Sequence, residues 1–139
     1  MASKRLNKNL KIKNFLVPIS KIPVLYENDM LKDALEKMSE LKYGICFCIK
    51  KNGNLAGVLT DGDVRRKILN IQKPFSALLG DDLAMHTNRR PSKAKISDNV
   101  VKCLKIMEKK LIWDLPVVDK KNKLIGMLHL HPIVKRLML

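Results

Sequence analysis

The run Gly57-Val58-Leu59-Thr60-Asp61-Gly62-Asp63-Val64-Arg65-Arg66 holds the richest chemistry in the chain. An apolar strand ends at Thr60 and a polar helix opens there; helix N-termini gather anions through unpaired N–H groups and the macrodipole. Thr60 can give a hydroxyl to a phosphate, Gly62 lets a ligand approach the backbone, and Asp63 can accept a pair of ribose hydroxyls. The same spacing also serves a plainer end, with Asp61 or Asp63 capping the helix and Arg65 and Arg66 in solvent. No third acid stands near Asp61 and Asp63 in sequence, so neither a hard-cation site nor a catalytic carboxylate pair is read there.

Composition narrows the classes. The chain has 139 residues, 28 Lys+Arg against 13 Asp+Glu, a formal net charge of +15, and 46% hydrophobic but only 4% aromatic residues. That length suits one compact domain or two small similar lobes. The longest apolar run, Ile45-Cys46-Phe47-Cys48-Ile49, falls far short of the roughly 20 residues that span a bilayer. No apolar segment follows the basic N-terminus, so no signal peptide is read. Three cysteines, none at metal-ligand spacing, fit a reducing cytoplasm, and Cys46 and Cys48 share one strand face as small hydrophobes. Six basic residues (Lys4, Arg5, Lys8, Lys11, Lys13, Lys21) precede the first acid, Glu27. Aromatic residues are not interleaved with the basic clusters, which gives nucleic acid or an acidic partner on the basic lead little support beside the other reading, a generally basic surface with some of its charge serving an anionic ligand.

Elements that would position the motif come twice. Ala34-Leu35-Glu36-Lys37-Met38 aligns with Cys103-Leu104-Lys105-Ile106-Met107, and Leu55 to Thr60 aligns with Leu124 to His129; 103 − 34 and 126 − 57 both give 69. In the first unit, Asn28 or Asp29 is expected to cap a helix with the stripe Met30, Leu31, Ala34, Leu35, Met38 and Leu41, ended by Gly44. Two strands follow, Ile45–Ile49 and Leu55–Thr60, joined at Asn52-Gly53, and then a short helix over 62–70 carrying Val64, Ile68 and Leu69. In the second, Asp98 is the expected cap of a helix striped by Val100, Val101, Leu104, Met107 and Leu111. Strands over 115–118 and 123–128 and a helix over 132–139 opened by Pro132 complete it. The expected boundaries are a basic lead over 1–18, a first repeat over 19–71, a polar linker over 72–84 and a second repeat over 85–139. The fold class is α/β, two tandem β-α-β-β-α repeats, each too small to bury a good core alone and so packed together about a pseudo-twofold axis.

With these motifs in view, the chain resembles a pair of CBS domains, the modules first named from cystathionine β-synthase, over nearly everything from Phe15 onward. Thr60-Asp61-Gly62-Asp63-Val64-Arg65-Arg66, Leu115-Pro116-Val117-Val118-Asp119 and Gly126-Met127-Leu128-His129-Leu130-His131 resemble the regulatory tail of arabinose 5-phosphate isomerases. Those enzymes carry a sugar-isomerase domain and make a precursor of Kdo for lipopolysaccharide or capsule. The resemblance implies a chain that is not itself an enzyme, a sugar-isomerase domain as partner, and a homodimer built through the CBS pairs. It implies no required cofactor but a nucleotide effector, AMP or ATP or a compound like CMP-Kdo. The ligand would enter a cleft between the lobes. Asp63 would hold its ribose, Thr60, Gly62 and neighbouring N–H groups its phosphate, with Asp61 beside them, and the base would lie against Pro23, Val24, Gly44 and Ile45. His129 and His131 match the family pattern and could contact a phosphate or carboxylate. The family has Asp after the second His; Pro132 stands there, so the second unit lacks the ribose acceptor. Trp113 is expected in core or rim packing, and His86 in solvent. Alternatives are the regulatory CBS pair of a sugar nucleotidyltransferase, which can show a similar Thr-Asp-Gly-Asp run, and a stand-alone adenosyl-nucleotide sensor.

Overall fold

The computed structural model describes residues 10–138. In chain order the strands are β1 (Val17–Pro18), β2 (Val24–Tyr26), β3 (Ile45–Ile49), β4 (Leu55–Thr60), β5 (Ala94–Lys95), β6 (Asp114–Val118) and β7 (Leu124–His129). The α-helices are α1 (Leu31–Leu41), α2 (Asp61–Asn70), α3 (Phe75–Leu79), α4 (Val100–Lys110) and α5 (Leu130–Met138). They form two compact units, one of residues 19–91 and a second that joins residues up to 18 with those from 92 onward.

In the first unit β3 is the centre of the sheet β2-β3-β4, parallel to β2 across the α1 crossover and antiparallel to β4 across a tight turn. A central strand covered on both faces reads as a continuous apolar run, and all five residues of β3 are buried. Gly53 takes φ 90° at the turn, a backbone state that side chains disfavour. Leu31, Ala34 and Met38 face the core from α1, where they meet Cys46, Cys48 and Leu59.

Local expectations shift here by one or two residues. Met30, not Asn28 or Asp29, is the N-cap of α1; its N–H donates to Asp33 Oδ2 at 3.1 Å, while Asp29 accepts from Tyr26 N at 2.7 Å. Gly44 does not end that helix; Lys42 does, at φ 61°. The stretch expected as a linker over 72–84 is structured. It forms α3 and a 3-10 turn, Leu83–His86, and buries Leu78 and Leu83 in the first unit's core. His86, expected in solvent, is buried there, 5% exposed. Ile68 and Leu69, given an apolar role in α2, are exposed.

The second unit repeats the plan in β5-α4-β6-β7-α5, with β6 central. Val100, Cys103 and Met107 face inward from α4. Its N-cap is Asn99, whose Oδ1 accepts from Lys102 N at 2.8 Å, whereas Asp98 accepts from Lys95 N at 2.9 Å. Leu111 leaves the stripe because it takes φ 55° at the helix end and is 86% exposed. The last helix begins at Leu130, two residues before Pro132. Residues 10–18 are part of this unit rather than a lead. Val17 pairs with Met127 and Pro18 with Gly126, adding β1 to the sheet, and Ile12 is fully buried among Val100, Cys103, Leu128 and Ile133. Lys4, Arg5 and Lys8 of the expected lead, and Leu139 of the expected last helix, lie outside the described residues.

Candidate functional site

Thr60 closes β4 and caps α2. Its Oγ1 accepts from Asp63 N at 3.2 Å while Asp63 Oδ2 accepts from Thr60 N at 2.9 Å, a reciprocal capping box. Arg66, one turn on, donates from Nη2 to Asp63 Oδ1 at 2.9 Å. Partial burial pushes the Asp63 carboxyl up, but the bonds from Arg66 and Thr60 outweigh it and hold the group below its ordinary value. It therefore stands ionised at neutral pH. A carboxylate has about four acceptor directions, so these bonds leave Asp63 capacity for further hydroxyls, and the Thr60 hydroxyl, an acceptor here, still has its proton to give.

Gly44, Ile45 and Asp61 meet at the same junction. Asp61 N donates to Gly44 O at 3.0 Å, and a Cβ on Gly44 would come within 2.7 Å of Asp61 Oδ2, so this position has room for glycine alone unless the carboxylate moves. Ile45 and Pro23 are buried and Val24 half-buried; Pro23 O accepts from Phe47 N at 2.9 Å, which ties β2 to β3. A cavity of about 330 Å³ opens beside Gly44 and Asp61, with Ser39, Lys42 and Tyr43 in its wall. Those three were not singled out from sequence, although the signal was their place just before Gly44. Arg66, in solvent under the plainer capping alternative, is indeed exposed and also reaches the site through Asp63.

The second unit holds the matching positions with other chemistry. Leu130 N donates to Trp113 O at 2.8 Å, the bond that Asp61 and Gly44 make 69 residues earlier. A matching cavity of about 410 Å³ is walled by Glu108, Leu111, Ile112, Trp113 and Leu130, apolar where the first is polar. Trp113 is 72% exposed, so it packs in no core. His129 replaces Thr60, and its Nδ1 contacts Asp114 Oδ1 across the β6–β7 pair. Burial pushes the Asp114 carboxyl above its ordinary value, with the His129 bond pulling the other way. His131 is exposed at the start of α5. Thr60, Gly62, Asp63, Asp61, Gly44, Ile45, Pro23 and Val24 thus belong to one unit, and His129 and His131 to the other. No cluster of metal-ligating side chains stands among the described residues.

Two sheet-and-helix repeats, each with this strand-to-helix junction, define a class, and a family model of the CBS domain matches residues 12–70 and 82–138. The chain belongs to the CBS domain family, as a tandem pair. It is 34% identical over 127 residues to a protein of Helicobacter pylori strain J99, covering 91% of this chain and 37% of that one. It is 26% identical over 130 residues to the arabinose 5-phosphate isomerase KdsD of Francisella tularensis, covering 91% and 37%. The chain therefore spans less than two fifths of the length of these curated relatives. Among solved structures, CBSX2 in complex with AMP matches with a TM-score of 0.81 at 26% identity, over 94% of this chain and 97% of that one. A CBS domain-containing protein of Bacillus anthracis matches with a TM-score of 0.84 at 17% identity over 97% of both chains, a likeness of fold.

Proposed function

We propose that this chain is a regulatory, nucleotide-binding CBS pair, and that it serves an arabinose 5-phosphate isomerase in the path to Kdo. The observation that carries the binding half is the Thr60–Asp63 junction: an ionised carboxylate, a hydroxyl with a proton to donate and a glycine meet at the start of α2. Asp63 takes the ribose hydroxyls, while the Thr60 hydroxyl and the Gly62 N–H take a phosphate oxygen, the latter because first-turn N–H groups have no partner within their helix. The base lies along Gly44, Ile45, Pro23 and Val24, with Asp61 at its edge. His129 and His131 offer a separate contact for phosphate or carboxylate in the second unit. The AMP held by CBSX2 supports an adenosine nucleotide as ligand. The isomerase relatives support the pathway, and a nucleotide sugar such as CMP-Kdo would report on its output. Catalysis belongs to the part of those longer relatives that this chain does not match.

Titration calorimetry against AMP, ATP, CMP and a CMP-sugar tests the reading. One of them is expected to bind, with the affinity lost in Asp63→Ala and reduced in Thr60→Ala. If none binds, or Asp63→Ala binds as the parent does, the nucleotide assignment is wrong. For the pathway, adding the chain's ligand to a full-length isomerase that contains this module should change its rate; an unchanged rate refutes the regulatory half.

A further inference from the structure

Arg66 lies back over the start of its own helix. A long helical side chain covers the turn before its own Cα, so Arg66 reaches the residues three and four positions earlier. Three back is Asp63, where Nη2 donates to Oδ1 at 2.9 Å. Four back is Gly62, and there Nη1 and Nη2 both stand 3.2 Å from the point where a Cβ would lie. The guanidinium thus holds its two ends side by side over a stretch of backbone with no side chain between. Arg66 is 56% exposed, open to whatever enters the junction.

That position runs against the local field. The start of a helix is the positive end of its macrodipole, and cations are stabilised at the other end. Asp63 offsets the cost in part, but its bond to Nη2 engages only one of the several N–H groups a guanidinium carries. An ion pair this exposed also contributes little to stability. The arrangement suits a second anion on the same fork.

A phosphate supplies one. An oxygen taken by the Gly62 N–H comes within reach of the fork, and a guanidinium grips phosphate through two parallel bonds. Without Arg66 the first turn of α2 offers an incoming ligand two carboxyl groups, Asp61 and Asp63. A phosphate there would meet like charge, and an uncharged nucleoside would be the better ligand. Arg66 reverses that order.

We propose, resting on the nucleotide-binding reading of this junction, that Arg66 makes a phosphate the condition for occupancy. Nη2 stays on Asp63, which holds the ribose, and the remaining donors turn to the phosphate, so one guanidinium checks both halves of the ligand. A nucleoside leaves the fork unanswered and is rejected for that reason. Arg65, next to it and exposed, does not share the face, because residues two apart on a helix are not neighbours of each other.

Titration calorimetry of the full chain with AMP against adenosine, and with CMP against cytidine, tests this. In one pair the parent is expected to bind the nucleotide at least about tenfold more tightly than its nucleoside, the size of a charge-assisted contact. Arg66→Ala should abolish that preference and leave the nucleoside affinity near the parent's. Arg66→Lys should restore part of it, since it keeps the charge without the fork. Arg65→Ala, the same loss of charge one residue away, should keep the preference in full. A parent that binds neither nucleotide nor nucleoside overturns the nucleotide reading and the role of Arg66 with it. Nucleotide and nucleoside bound alike by the parent, a preference that survives in Arg66→Ala, or one lost equally in Arg65→Ala, overturns the role of Arg66 alone.

Discussion

His86 Nε2 lies 2.9 Å from Asp81 Oδ2 inside the first unit, with the histidine side chain only 4% exposed. Lys73 Nζ reaches both oxygens of the same carboxylate, at 2.8 and 2.7 Å. Asp81 therefore joins a buried ring to a cation at the foot of α3, and its own carbonyl accepts from Leu31 N at the start of α1. With His86 Nδ1 buried and lacking a partner among the described residues, the ring is best satisfied as the tautomer that donates from Nε2.

This triad makes the first unit sensitive to acid. The bond from Lys73, and then that from His86, hold the Asp81 carboxyl below its ordinary value. The folded chain thus binds this proton less readily than the unfolded one. The stability it contributes is complete above about pH 3.9, the unfolded value, and is lost as pH falls through the lower folded value. Asp81→Asn should lower Tm at neutral pH and flatten the acid limb of a Tm-versus-pH curve. An acid limb identical to that of the parent would refute the assignment.

The capping box at Thr60 should show in stability without any ligand. Thr60→Ala removes the acceptor for Asp63 N and should cost about 1 kcal/mol, whereas Thr60→Ser should keep most of it. Urea unfolding of the free chain measures both, and equal losses in the two variants would count against the cap.

Gly126 lies where β1 crosses β7, and a Cβ there would collide with the Val17 carbonyl oxygen and the Leu16 side chain. One of those partners is backbone, so relief requires moving the strand. Gly126→Ala should destabilise by about 1–3 kcal/mol or more, and amide exchange should speed up at Val17 and Met127 first. Unchanged protection at both would show that β1 is not held as described.

The three cysteines should be inert in the folded chain. Burial pushes Cys46 up to about 12, and Cys48 and Cys103 up to about 11. At about pH 8 the thiolate fraction is then of order 0.1% or less. Iodoacetamide should leave native protein unmodified by mass and label three sites in denaturant. Rapid native labelling at any of them would contradict this burial.

What the sequence disclosed was whatever repeats or alternates locally. The 69-residue offset and the buried runs 45–49 and 115–118 mark the two sheets, because central strands need unbroken apolar residues. The cap was legible in part: the sequence points to Asp61 or Asp63 as the capping residue, whereas Thr60 is the N-cap and Asp63 closes the box from within one helical turn. Ile12 was not. A single isoleucine among lysines has no period, and only pairing with β7, more than 100 residues away, decides that it is core. His86 was misread for a similar reason, as its acceptor comes from five residues back across a turn rather than from a helix face. Capping residues shifted by one because Asp29 and Asp98 instead accept backbone N–H groups three residues before them.

The route of β1 has a consequence for biosynthesis. Residues up to 18 belong to the second unit, the chain then builds all of the first and only afterwards returns, so residues 19–91 are an insertion between two pieces of one sheet. On the ribosome the first unit can close as soon as residue 91 has emerged. Ile12, Leu16 and Val17 must wait, apolar and unpartnered, until β7 and α4 arrive.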